Sequence, residues 1–287
     1  MDHVQAFGGA FLISILAVIV SLFVVPAVHA QEVFNNYDPQ NTNCAQFTAF
    51  NAAAGLTGSD LTNYEKLICG GVSDGWLVKL DGFWVLAAPI LGVAAINLAN
   101  PGTYNLVSLS CENVFVANNG CQNGVLANTG YNPSQGTNYS VNSASVGIWM
   151  HYPADEAVPV YAVAGITGLN LYSCYVDDRI YPRLNDVSPA ESAYGCTGPP
   201  TGLMTQVRSS STQRDLYINT LGSVASWSQA VTSVPDAILY LGGDGANTAN
   251  VPFINAAFVG GALTATDVLN VYTRLNTFFT AQGCGNC

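Results

Sequence analysis

The sequence predicts a mainly β protein, an antiparallel two-sheet jelly-roll sandwich with helical additions at its ends. Three observations carry that prediction. From Tyr104 to Leu241, short runs of β-branched, aliphatic and aromatic residues alternate with Asn-, Gly- and Pro-rich turns, the pattern of many short strands. Only 9% of residues are charged, whereas 49% are hydrophobic and 28 are Gly; this excludes a disordered chain, which would be apolar-poor and charge-rich. All eight cysteines follow an apolar leader, as in an exported domain stapled by disulfides.

Taken in order, Ala10–Val25 is an apolar run ending at Pro26, and Val28-His29-Ala30 precedes Gln31. Small residues one and three positions before a cut fit a signal-peptidase site, so residues 1–30 read as a signal peptide, or as a signal anchor if retained. No Lys or Arg stands in the first nine residues, where a signal peptide is usually basic. If retained, residues 10–28 just reach membrane-spanning length and form an N-terminal hydrophobic helix. Residues 31–58 read as a polar and aromatic extension without periodicity, and residues 59–287 as the jelly-roll domain. Ser59–Ile68 predicts a short helix near 60–69, capped by Ser59 or Asp60, with Leu61, Tyr64, Leu67 and Ile68 on one face and Gly70-Gly71 as its stop. Trp76–Leu86 reads as one or two strands. Further strands are expected at Val114–Ala117, Val146–Met150, Val160–Ile166, Leu169–Val176, Arg214–Ile218 and Ile238–Leu241. A helix near 264–280 closes the chain. Val268, Leu269, Tyr272, Leu275 and Phe279 recur at helical spacing, and Thr264 with Asp267 forms a capping box.

Sequence proximity suggests the disulfides Cys44–Cys69, Cys111–Cys121, Cys174–Cys196 and Cys284–Cys287. Zinc is disfavoured, because Cys284-Gly-Asn-Cys287 has no second C-x-x-C and the chain beyond residue 30 holds one histidine, His151. Seven Lys+Arg against 18 Asp+Glu leave a net charge of −11. Seven cations cannot neutralise a run of phosphates, which excludes nucleic acid as a partner and disfavours anionic lipid head groups.

The segments Trp76–Asp81, Asn97–Tyr104, Gly130–Pro133 and Asn142–Trp149, with Ala257–Thr264 before the last helix, resemble the concanavalin A-like lectin/glucanase (laminin-G-like) domains of phage and bacterial proteins. The resemblance runs roughly from Leu61 to Gly283 and implies a two-sheet jelly roll. Members of that group often sit among phage structural or tail proteins. The export signal and the cysteines depart from that and point to an extracellular protein.

For chemistry, the glucanase pattern Glu-x-Asp-x-x-Glu is absent. Asp155-Glu156 and Asp177-Asp178 are adjacent pairs, which on a strand point to opposite faces instead of flanking one glycosidic bond. No Gly-x-Ser-x-Gly elbow accompanies His151, which reads as a strand-end histidine. Calcium suits acidic turns, and Asp177, Asp178, Asp244 and Asn247 are the candidate ligands, although such residues are also ordinary turn formers. Sugar rings stack on aromatic faces, with Trp149, Tyr152, Tyr175, Tyr181 and Trp227 as candidates. On the run Ser145–His151, Trp149 lies opposite Val146, Ile148 and Met150, either on a binding face or under another packed layer. Asn138-Tyr139-Ser140 is a glycosylation sequon. These readings converge on an exported protein that binds a glycan or cell-surface polymer, secreted or, with the leader retained, periplasmic or membrane-anchored. A self-assembling structural subunit of a virion or filament is the first alternative and a glycoside hydrolase or lyase the second.

Overall fold

In a computed structural model of the chain, residues 44–111, 115–121, 125–151, 161–163, 168–175, 179–186, 194–195, 201–219, 222–243, 253–284 and 287 are described. The apolar leader and its expected helix lie outside them. The strands are β1 (Leu80–Val85), β2 (Ser108–Cys111), β3 (Phe115–Val116), β4 (Gly120–Cys121), β5 (Val125–Asn128), β6 (Ala144–His151), β7 (Tyr161–Val163), β8 (Gly168–Tyr175), β9 (Arg179–Asp186), β10 (Tyr194–Gly195), β11 (Gly202–Arg208), β12 (Gln213–Ile218), β13 (Ser223–Ser228), β14 (Leu239–Leu241) and β15 (Phe253–Gly260). They form a six-stranded sheet in the order β1-β15-β6-β11-β12-β13, a seven-stranded sheet in the order β10-β9-β8-β7-β14-β5-β2, and the small β3–β4 ribbon. Every ladder in the two large sheets is antiparallel. The predicted class, a mainly β antiparallel sandwich with a C-terminal helix, is what the residues build.

The period-2 alternation of strand side chains explains the packing. Val146, Ile148 and Met150 of β6 point inward, with Met204 and Leu216, against Leu169, Leu171, Ile180, Leu184 and Leu239 of the seven-stranded sheet. The alternate residues form a second core. Phe83, Trp149, Leu203, Val207 and Phe258 point the other way and are covered by a helical layer. That layer consists of α1 (Ala45–Ala54), α2 (Gly58–Ser73) and α4 (Ala265–Gln282), while the single-turn α3 (Leu91–Ala94) lies in the connection after β1. Rings link the three long helices: Phe50 of α1 stacks on Tyr64 of α2 at 5.0 Å, and Tyr64 meets Phe278 of α4 edge-on at 4.8 Å.

Two helix expectations change. Helix α2 begins at Gly58 with Thr57 in the N-cap position, and neither Ser59 nor Asp60 caps it. It also runs through Gly70-Gly71 to Ser73. These glycines serve packing: a Cβ on Gly70 would lie 2.6 Å from the Arg274 guanidinium carbon, and one on Gly71 2.6 Å from the Trp76 ring. The close approach lets Arg274 of α4 clasp Asp74, at the end of α2, through two hydrogen bonds of 2.9 and 3.0 Å. The capping box of α4 is present, with Thr264 accepting from the Asp267 N–H and Asp267 accepting from the Thr264 N–H.

Helix α1 belongs to the same core. Phe47 and Phe50 are buried in it, and Cys44–Cys69 bonds the start of α1 to α2. The described fold therefore takes in residues 44–54 of the stretch read as an extension. The predicted Cys284–Cys287 disulfide also forms. The side chains of Cys111, Cys121, Cys174 and Cys196 lie outside the described residues.

Two buried polar side chains organise the border at β1. The Asp81 carboxylate accepts from the N–H groups of Thr137, Asn138 and Tyr139 and from the Tyr131 hydroxyl, tying the 131–139 loop to the sheet. The Asn97 amide bonds along the outer rim of β1, accepting from Phe83 N–H at 2.9 Å and donating to the Asp81 carbonyl at 2.8 Å, while Leu98 N–H donates to the Phe83 carbonyl.

Candidate functional site

The helical layer decides which sheet surface is open. The middle of the six-stranded sheet is closed on both faces: β11 is buried at every position, β6 at all but His151, and β15 at all but Phe253, while β12 is partly and β13 largely accessible at the edge. Trp149, a predicted ligand-stacking residue, is 3% exposed beneath α4. Its ring stacks on Tyr272 at 5.4 Å and tilts against Phe279 at 5.2 Å, so its faces are already taken. The second-layer option for that face is the correct one.

The seven-stranded sheet differs. Along β9, exposed or half-buried Arg179, Tyr181 and Arg183 alternate with buried Ile180, Pro182 and Leu184. Ile180 and Leu184 belong to the inter-sheet core, so Arg179, Tyr181 and Arg183 form a stripe on the outer face. Among the described residues, β10 pairs only with Arg179 and Ile180. Beyond Ile180, β9 thus borders no described strand on that side, and an edge position is where a strand proline is tolerated. The β8 ladder sets Asn170 opposite Arg183, Tyr172 opposite Tyr181 and Tyr175 opposite Arg179, while β10 sets Gly195 opposite Arg179. A Cβ on Gly195 would meet nothing within 4 Å, so the surface beside Arg179 is open. Across the sheet the outward row continues through half-buried Tyr240 and Asn128 to exposed Ser108, with a hydrogen bond between the Asn128 amide and the Tyr240 hydroxyl.

The electrostatics single out the same strand. The chain has seven cations. Lys79 pairs with Asp267 and Arg274 with Asp74. Arg208 and Arg214 both pair with Asp186, and all three side chains are 0% exposed. Arg208 also donates to the backbone carbonyls of Leu184 and Gln229. Burial pushes the Asp186 carboxyl up and the Arg208 guanidinium down, and each group's attraction for the other opposes that. This cluster fastens β9 to β11 and β12 inside the sandwich. What remains is Lys66, exposed on α2, and the two arginines of the β9 stripe.

The structure places the other candidates as follows. Tyr181 lies on the stripe, and the Tyr175 backbone pairs with Arg179 in the β8–β9 ladder. Trp227 is remote, on β13 at the far edge of the six-stranded sheet, half-buried with the Arg214 guanidinium 5.1 Å from its ring centre. Asp177 and Asp178 fall in the connection between β8 and β9, outside the described residues, as do Tyr152, Asp244 and Asn247. No group of three metal-ligating side chains occurs among the described residues. His151 ends β6 half-buried, and burial lowers its basicity. The sequon amide of Asn138 donates to the Leu80 carbonyl at 3.2 Å. Arg179 and Arg183 were not among the sequence candidates. Their signal is the run Arg-Ile-Tyr-Pro-Arg, cationic at both ends in a chain with few cations, with Ile180 and Leu184 marking the inward face.

No family model and no curated protein matches the chain. Among solved structures it is similar to the Trypanosoma rangeli sialidase, at 13% identity and a TM-score of 0.48 over 70% of this chain and 33% of that one. It is also similar to the botulinum neurotoxin serotype D binding domain, at 16% identity and a TM-score of 0.46 over 68% of this chain and 51% of that one. The chain thus spans about a third of the sialidase and half of the toxin domain. Likeness at this level carries no functional argument. Among the described residues no helix is long and apolar enough to cross a membrane, and the two disulfides fit an oxidising compartment.

Proposed function

We propose that the chain is an exported binding protein of the concanavalin A-like jelly-roll type, holding a glycan or another cell-surface polymer on the outer face of its seven-stranded sheet. One observation carries the reading: the helical layer covers the middle of the other sheet, while this face carries Arg179, Tyr181 and Arg183 along β9, with Tyr240 and Asn128 in the cross-strand row of Arg183. Tyrosine offers a flat apolar surface with a polar tip, and amide and guanidinium groups supply directional hydrogen bonds. That combination suits a ligand with apolar ring faces rimmed by hydroxyls.

A glycan array probed with the full chain, with and without chelator, tests the proposal. The chelator arm matters because Asp177 and Asp178 directly precede Arg179 in sequence. Binding to at least one saccharide class is expected, weakened about tenfold by Tyr181→Ala, the scale of one lost ring contact. Binding to no saccharide in either arm overturns the reading.

A further inference from the structure

The cation census says more about the ligand. We infer, resting on the glycan reading, that the β9 stripe recognises an acidic saccharide, with a sugar carboxylate held by Arg183 and Arg179 beside Tyr181. Among the described residues neither arginine forms an ion pair, whereas every other arginine of this acidic chain is matched to an aspartate. Two unmatched guanidiniums four residues apart on one strand lie on the same side about 13 Å apart at their backbones, within reach of a single ligand. Guanidinium matches a carboxylate with a pair of parallel hydrogen bonds.

A second observation comes from beneath the stripe. Asn170 is 1% exposed and its Oδ1 has no hydrogen-bond partner, and the Arg183 Nε on the opposed position of β9 is buried and equally unpartnered. Buried polar atoms without partners are uncommon and mark a place for a ligand or water. Here one atom is an acceptor and its cross-strand neighbour a charged donor. A uronic acid answers both, its hydroxyl donating to Asn170 and its carboxylate accepting from Arg183. The charge of −11 opposes anions at long range. The fitting ligand is therefore a short saccharide with one or a few carboxylates, and two cations remain too few for a polyphosphate.

Calorimetric titration of the full chain with a short oligogalacturonate, its methyl ester and a sulfated disaccharide tests this, on the native chain and on Arg179→Gln/Arg183→Gln with thermal melting as the folding control. The acid is expected to bind at least tenfold more tightly than its ester, and the double variant to lose that preference, binding acid and ester within about twofold of each other. An ester that binds as tightly as the acid, a double variant that binds the acid unchanged, or a sulfated sugar bound in preference to the uronate overturns the inference and leaves the glycan reading standing. Failure of every saccharide to bind removes both.

Discussion

The two sheets begin from the same alternating pattern and end in different surroundings. In β6, β11 and β15 of the six-stranded sheet both sets of side chains are buried, one against the opposite sheet and one under the helices. On β9 of the seven-stranded sheet the outward set keeps contact with solvent. A strand closed on both faces loses the signature that makes a half-exposed strand easy to recognise. Its outward aromatics, Trp149 foremost, serve architecture, while Tyr181 and Tyr240 on the outer face of the other sheet are only half-buried.

That contrast can be broken experimentally. The largest effect is expected at Asp186, which holds two buried guanidiniums. Asp186→Ala leaves them uncompensated and should cost about 3–5 kcal/mol in chemical denaturation. Trp149→Ala should follow at about 3 kcal/mol, the lower end for a buried tryptophan, because the helical layer can partly settle into the gap. A cost under about 1 kcal/mol, the size of an ordinary polar-surface change, would reopen that face as a binding surface. Removing Cys44–Cys69 with serines frees a 25-residue separation and should lower stability by about 2–3 kcal/mol, read as a shift in the thermal midpoint.

Asp267 gives a pH-dependent test. Burial alone would raise its carboxyl; the bonds from Lys79 and from the Thr264 N–H and hydroxyl together outweigh that and hold it below the usual carboxylate range. A carboxyl lowered in the folded state contributes stability above its unfolded value of about 3.9, and that contribution fades as pH falls through the folded value. Asp267→Asn should therefore cost about 1 kcal/mol at neutral pH, modest because Lys79 is 39% exposed, and nothing at strongly acidic pH. The smallest effect belongs to the open face. Tyr181→Ala should change stability by about 0.5 kcal/mol or less, and a larger loss would show that the stripe is a packed layer too.

The parts legible in the sequence were those whose signal is local. Thr264 and Asp267 announce a helix start within four residues, and β6, β8 and β12 announce themselves as short β-rich runs between turn residues. Helix α1 was not legible, because Phe47 and Phe50 are too few to set a period, and it is held by Cys44–Cys69 and by the Phe50–Tyr64 stack. Gly70-Gly71 reads as a stop because glycine is a poor helix former. Only the arrival of Trp76 and of Arg274, 200 residues further on than Asp74, shows why it is tolerated. The candidate site was half legible. Tyr175 and Tyr181 stand out as aromatics near an acidic turn, but the weight of Arg179 and Arg183 depends on knowing that Asp74, Asp186 and Asp267 occupy the other arginines and Lys79. That is a property of the folded chain.

The placement of Asn97 has a consequence for how these molecules behave at high concentration. A bare strand rim is a template on which a neighbouring chain can lay down its own backbone, the opening event of fibril growth. With the Phe83 N–H and the Asp81 carbonyl occupied by one amide, and the Phe83 carbonyl by Leu98, the β1 rim offers an incoming strand no ladder to copy.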